Sequence, residues 1–157
     1  MEHRINPYEK GHKAIKVLFG FGSYLSKSTL EQRLLDLMYF RVSQINGCAY
    51  CLDMHSKDLR VQGESEQRLY LVNTWREVSL FTQRERAAFE WAEAVTKLNG
   101  ARVPDDVYAV ASKEFTEEEL VDLTIAVIGI NSFNRVNIAF GIEAGSYEPG
   151  QHAVHVH

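Results

Sequence analysis

Three times in 157 residues a serine or threonine is followed at the third position by a glutamate and then by apolar residues at helical spacing: Ser28 with Glu31, Thr82 with Glu85, Thr116 with Glu119. In such a capping box the hydroxyl accepts a backbone N–H from the first turn while the glutamate reaches back to the cap's own N–H, so each box predicts a helix start. Apolar residues then recur every three or four positions. Leu30, Leu34, Leu37, Met38, Val42 and Ile45 make one stripe, Ala88, Trp91, Ala92, Val95 and Leu98 a second, and Leu120, Leu123, Val127 and Ile130 a third on a helix expected to reach about Glu143. An earlier segment, Ala14, Val17, Leu18, Phe21 and Leu25, has the same period despite Gly20 and Gly22. No stretch alternates as a strand would, and the chain is expected to be all-α.

Stops fall where helices need them. Asn46-Gly47, Gly63 and Asn99-Gly100 are C-terminal signals, Ser65 can cap a helix carrying Leu69, Val72 and Trp75, and Pro104 opens a short one. Residues 1–145 read as one helical domain, long enough to bury a core without staples. Residues 146–157, with Gly, Pro and His, are expected to form a poorly ordered tail.

The net charge of −4 argues against phosphate-driven nucleic-acid binding and favours a small-molecule substrate. The start, Met1 to Pro7, lacks the apolar run of a signal peptide, and the most apolar stretch, Leu120 to Ile130, contains Asp122 and is too short to span a bilayer. A cytoplasmic protein with no membrane segment is the expectation.

The chemistry concentrates in Cys48-Ala-Tyr-Cys51-Leu-Asp-Met-His55, which holds both cysteines of the chain. On a helix beginning at Gly47 or Cys48, Cys48 and Cys51 share a face at i,i+3 and His55 joins them at i,i+4. A thiolate is the reactive form of cysteine, and two features favour it here: the positive end of the helix dipole, and His55 as acceptor of the Cys51 proton. Cys51 is therefore the better nucleophile, and Cys48, one turn away, can attack an oxidised Cys51 and close a disulfide. Three alternatives compete. The pair could be inert core cysteines; Cys48, Cys51 and His55 could ligate zinc, although a structural zinc site wants a fourth ligand; and a thioredoxin-like CxxC would need a preceding strand where a helix is expected.

Asp36 through Leu59, with Cys48, Cys51 and His55 embedded in it, resembles the core motif of the AhpD-like alkylhydroperoxidases within the carboxymuconolactone decarboxylase family. The resemblance continues through Gly63–Tyr70, Trp75-Arg76-Glu77, Thr82–Ala88 and Ile130–Arg135. It implies a compact all-α subunit, a homo-oligomer such as a trimer or hexamer, and thiol-dependent reduction of an organic hydroperoxide or hydrogen peroxide. It also implies an external dithiol reductant, a lipoyl-bearing protein or a thioredoxin-like one, and neither metal nor organic cofactor. By resemblance Cys51 is peroxidatic, Cys48 resolves it, and His55 works with a carboxylate twelve residues before the first cysteine. The family has glutamate there and this chain has Asp36, whose reach is shorter by about 1.5 Å, enough to lose a direct hydrogen bond unless a water bridges it. Some members carry a histidine between the cysteines, where this chain has Ala49 and Tyr50. Other readings are lactone decarboxylation, as in the broader family, and a redox-sensing or structural oligomer without turnover.

Further candidates read as structural. Asn131, Asn134 and Arg135 interrupt the last apolar face and are expected to fix helix packing, and Tyr50 to pack. His3, His12, His152, His155 and His157 fall on terminal or polar stretches, and Glu117-Glu118-Glu119 complements a helix dipole.

Overall fold

The computed structural model describes residues 4–151, and in these it holds eight α-helices and two short 3-10 segments, with no strand. His3, His152, His155 and His157 lie outside the described residues. The helices are α1 (Pro7–Lys10), α2 (His12–Leu25), α3 (Gln32–Asn46), α4 (Ala49–Val61), α5 (Glu66–Leu71), α6 (Gln83–Lys97), α7 (Asp105–Glu114) and α8 (Glu117–Phe140). This is the all-α class that the periodicity predicts.

Two of the capping boxes form in full, at Thr82 with Glu85 ahead of α6 and at Thr116 with Glu119 ahead of α8. The third does not. Ser28 Oγ instead accepts from the Leu30 N–H in a local turn, Glu31 becomes the N-cap position of α3, and its carboxylate pairs with Arg84 at 3.1 Å. A hydroxyl bonded two residues ahead closes a turn rather than a helix end, so α3 begins later than the box implies. The expected segment from Ala14 to Leu25 forms as α2, and Gly11 separates it from the short α1. On α2, Ile15 and Leu25 are buried while Val17 lies in the open, so the face the spacing suggested is only partly the inward one.

α3 is the hub. Leu34, Leu35, Met38 and Val42 enter one core with Ala88 and Trp91 of α6 and Leu123 and Val127 of α8, while Leu37 and Phe40 enter a second with Leu59, Val72, Trp75 and Phe89. A helix buried on two sides contributes on both, at roughly 1.5–3 kcal/mol for each large side chain removed from water. α3 ends at Gly47, whose φ of 70° is the left-handed conformation that costs glycine nothing, and α4 starts two residues later. The two form an antiparallel hairpin, as the hydrogen bond from Gln62 past the end of α4 to Asp36 near the start of α3 shows.

α8 is laced to the end of α3 by amides. Asn46 Nδ2 donates to Asn131 Oδ1 at 3.0 Å and to Asn134 Oδ1 at 2.9 Å, and Asn134 Nδ2 donates to Ser43 Oγ at 3.1 Å. Arg135 donates to the carbonyl and side chain of Asn131. Asn131 and Asn134 thus fix helix packing, as their pattern suggested, whereas Arg135 bonds within α8. α8 is long and apolar enough to cross a membrane by length and composition, and here Leu120, Leu123, Val127 and Ile130 lie in the core. Against α2 it comes close at Gly129, where a Cβ would sit 3.3 Å from Phe21 Cβ. It stops at Gly141, which turns left-handed, three residues short of where the pattern pointed.

On α6 the buried Glu93 accepts from Arg41, Trp75 and Arg76 at 2.8–2.9 Å, which holds its carboxyl below the usual range against the opposing effect of burial. The segment after α8, described as far as Gln151, is held against α4. Tyr147 is buried with its hydroxyl on Asp58, Lys57 Nζ donates to the carbonyls of Gly145 and Tyr147, and Asp53 accepts from the Gly145 N–H. Three partners on one helix outweigh the tail's weak intrinsic order.

Asn134 is fully buried, and replacing it with alanine strips Ser43 of its donor and Asn46 of one acceptor. Asn134→Ala is expected to lower the free energy of unfolding by about 2 kcal/mol, read as a lower urea midpoint with unchanged slope.

Candidate active site

The hairpin turn delivers Cys48 to the N-cap of α4. Its backbone is extended, and its sulfur accepts the Cys51 N–H at 3.3 Å, so Cys48 does the work usually given to serine or aspartate. The helix thus starts one residue beyond the expected Cys48, and both sulfurs lie within its first turn. Cys48 and Cys51 are joined as a disulfide with their Cα atoms 5.4 Å apart, and both are buried. In the reduced state the same position would place the Cys51 thiolate near the exposed N–H groups and positive pole of α4.

His55 lies one turn further along, buried on the same helix, with its ring 5.4 Å from that of Tyr39. Neither ring nitrogen has a hydrogen-bond partner, and burial pushes its pKa down to about 3. The imidazole is therefore neutral at any physiological pH, a base without a charge. Asp36 is buried too, and its two carboxylate oxygens accept from Gln32 Nε2 at 3.0 Å and Gln62 Nε2 at 2.7 Å. Burial raises its pKa in spite of those two donors. No hydrogen bond links Asp36 to His55, which fits the shortened reach of aspartate. The two amides take the place that a direct relay partner would hold.

Asn137 is the residue the sequence reading missed. From α8 its Nδ2 donates to Cys51 Sγ at 3.3 Å, while its Oδ1 accepts from Tyr8 Oη of α1 at 2.7 Å. Burial next to Tyr50 pushes the Tyr8 pKa up to about 12, so that phenol stays a donor and orients the amide. The signal was present in the sequence: Asn131, Asn134 and Asn137 recur every three residues, the first two bind α3, and continuing the row leads to the cysteine.

Cys51, His55, Asp36, Tyr8 and Asn137 all face one cavity of about 650 Å³ between α2, α3, α4 and α8, closed on another side by Tyr147 and Pro149. Among the described residues no group of three or more His, Cys, Asp or Glu side chains is arranged to hold a metal.

The all-helical frame that carries this cysteine pair agrees with what related proteins show. Residues 15–94 match the model of the carboxymuconolactone decarboxylase family. The chain belongs to that family. It is 38% identical to the uncharacterized protein YdfG of Bacillus subtilis over 146 residues, 93% of this chain and 99% of YdfG. It is also 38% identical to ATU0492 of Agrobacterium tumefaciens, a protein of unknown function provisionally assigned to AhpD antioxidant defence. That crystal structure superposes with a TM-score of 0.87 over 93% of this chain and all of the other. The AhpD core of a peroxidase-related protein from Ralstonia eutropha shares the fold at 19% identity, with a TM-score of 0.75 over 89% of this chain and 74% of its own. The family member described here thus has the AhpD-like helical fold with its cysteine pair at a helix start.

The buried neutral His55 has a thermodynamic signature. Its folded pKa lies below the unfolded 6.5, so stability is fully present above pH 6.5 and is lost as pH falls toward 3. Asp36, raised by burial, acts in the opposite sense, and Glu64 and Glu93, both held low, contribute losses only below about pH 4.5. Between pH 6.5 and 5 the native protein is expected to lose up to about 1.4 kcal/mol per pH unit more than His55→Leu, measured by urea unfolding of both proteins.

Proposed function

We propose that this protein is a thiol-dependent peroxidase that cycles between the Cys48/Cys51 dithiol and the disulfide. The observation that carries the reading is a buried redox pair at the N-terminus of α4, opening on a large cavity with an uncharged histidine on its wall.

In the reduced protein His55 accepts the Cys51 thiol proton as the sulfur attacks the terminal oxygen of the hydroperoxide. The O–O bond breaks, Cys51 becomes a sulfenic acid, and the alkoxide leaves with the proton that His55 returns. An imidazolium in this buried setting is costly, which drives that return. The Cys48 thiol then attacks the Cys51 sulfur, forming the disulfide and expelling water. An external dithiol restores both thiols and is itself oxidised to a disulfide. Asn137 Nδ2 stabilises the Cys51 thiolate throughout, and Tyr8 holds the amide in the donating orientation. Asp36 acts on His55 through the field in the cavity, without a direct bond. We also propose that the working form is a cytoplasmic homo-oligomer and that its reductant is a lipoyl-bearing or thioredoxin-like protein.

Peroxide consumption with a small dithiol tests the cycle. Cys51→Ser is expected to abolish turnover, and Cys48→Ser to undergo one oxidation, on Cys51 by mass spectrometry, and then stall. First oxidation on Cys48 at native rate in Cys51→Ser would reverse the assignment.

Alkylation of Cys51 in the reduced protein, followed against pH, resolves the supporting residues. Asn137→Leu is expected to raise the Cys51 pKa and slow alkylation at pH 7 by about tenfold or more, the scale of a hydrogen bond to a charged atom. Asp36→Asn is expected to slow it by about tenfold at most, one unit of pKa.

A further inference from the structure

The walls of the cavity have a composition that says what fits it. Phe19, Phe21, Leu25, Met54, Ile130 and Phe133 line it, and the rings of Phe19 and Phe133 stand 5.7 Å apart at an angle of 37°. At about 650 Å³ it is some twenty times the roughly 30 Å³ that a water occupies in the liquid, in the range of pockets that enclose whole organic ligands. Hydrogen peroxide would fill little of it.

Its charges are equally telling. Among the described residues no lysine or arginine lines the cavity. Two carboxylates do, Asp36 with its oxygens on Gln32 and Gln62, and Asp58 accepting from Tyr147 Oη. Lys57, on the same helix, is turned to the carbonyls of Gly145 and Tyr147 and to Asp53. The polar groups close to Cys51 are neutral: the Asn137 amide, the Tyr8 phenol and the two unpartnered nitrogens of His55. A carboxylate brought in here would lose its water, gain no lysine or arginine from the described lining residues and face two acids.

We propose that the cavity selects bulky, uncharged hydroperoxides with an aromatic or branched apolar group, and discriminates against hydrogen peroxide and against hydroperoxides that carry a carboxylate. The hydroperoxide oxygen accepts from the N–H of the neutral His55 ring, which leaves the other ring nitrogen for the Cys51 proton, and the apolar body lies along Phe19, Phe21 and Phe133. Because both His55 nitrogens are buried without a protein partner, this hydrogen bond satisfies a group that otherwise goes unpaired. The proposal deepens the peroxidase reading and rests on it for turnover, whereas its binding half stands without it.

The test uses the full chain and three hydroperoxides of nearly one shape: cumene hydroperoxide, its 4-carboxylate and the methyl ester of that acid, with hydrogen peroxide as the small reference and a small dithiol as reductant. Expected are similar kcat/KM values for cumene hydroperoxide and the ester, about 30-fold lower for the carboxylate, and lower still for hydrogen peroxide. Phe133→Lys is expected to reverse the order of acid and ester. Equal values for acid and ester in the native protein overturn the proposal, as does a preference for hydrogen peroxide. A second arm is independent of chemistry: calorimetry of the disulfide form with the inert product alcohols, 2-phenyl-2-propanol and its 4-carboxylate. Binding of the neutral alcohol about 30-fold or more tighter than the acid supports the proposal, and equal or absent binding of both overturns it. Selective binding of the neutral alcohol with no turnover of any hydroperoxide would refute the peroxidase reading and leave the cavity's selectivity standing.

Discussion

Everything at the site depends on where the end of α3 sits against α8, and a knot of buried amides decides that. Ser43 and Asn46 on one helix meet Asn131 and Asn134 on the other. Apolar packing is tolerant of small slides, because one methyl group in contact is much like another. A hydrogen-bonded amide in a dry interface is not, since a shift of an ångström leaves donors and acceptors unpaired at 1–3 kcal/mol or so each. Gly47 follows directly, then Cys48 and the start of α4. One further step along the same asparagine row, Asn137 meets Cys51. The knot therefore sets the register between two parts of the chain 86 residues apart.

The cavity illustrates how burial does chemistry. The same desolvation that keeps His55 uncharged raises the Asp36 pKa and holds the Tyr8 hydroxyl protonated. Burial thus pushes all three groups toward their uncharged forms. Elsewhere the molecule handles ionised groups differently. Glu64 meets Arg33 and Arg68, and Glu93 meets Arg41 and Arg76, so these two buried glutamates are matched with guanidinium groups. Near the cavity, amides and a phenol take that place.

Much of this was legible in the sequence where the physics is local. Helical period, the boxes at Thr82 and Thr116, the stop at Gly47 and the i,i+3 and i,i+4 spacing of Cys48, Cys51 and His55 all depend on neighbours within a turn or two. What could not be read was set from a distance. Ser28 closes a turn on Leu30 instead of a box, and Glu31 pairs with Arg84 from another helix. Asp36 looks like a surface residue in its own stripe because the glutamines that bury it act partly from across the hairpin, at Gln62. Asn137 shows no partner in a linear reading, since Tyr8 and Cys51 come from helices far apart in the chain. The placing of Tyr147 likewise follows from Asp58 and Lys57, not from the composition of the segment that carries it.

That last segment has a bearing on how the protein can diversify. Tyr147, Pro149 and Gly150 form part of the cavity wall, yet none of them belongs to either of the two cores that hold the helices together. The wall that carries the cysteines and the closing wall are thus under separate structural control. Exchange of a few residues after Gly141 can therefore reshape what enters the cavity without touching the packing that positions Cys51.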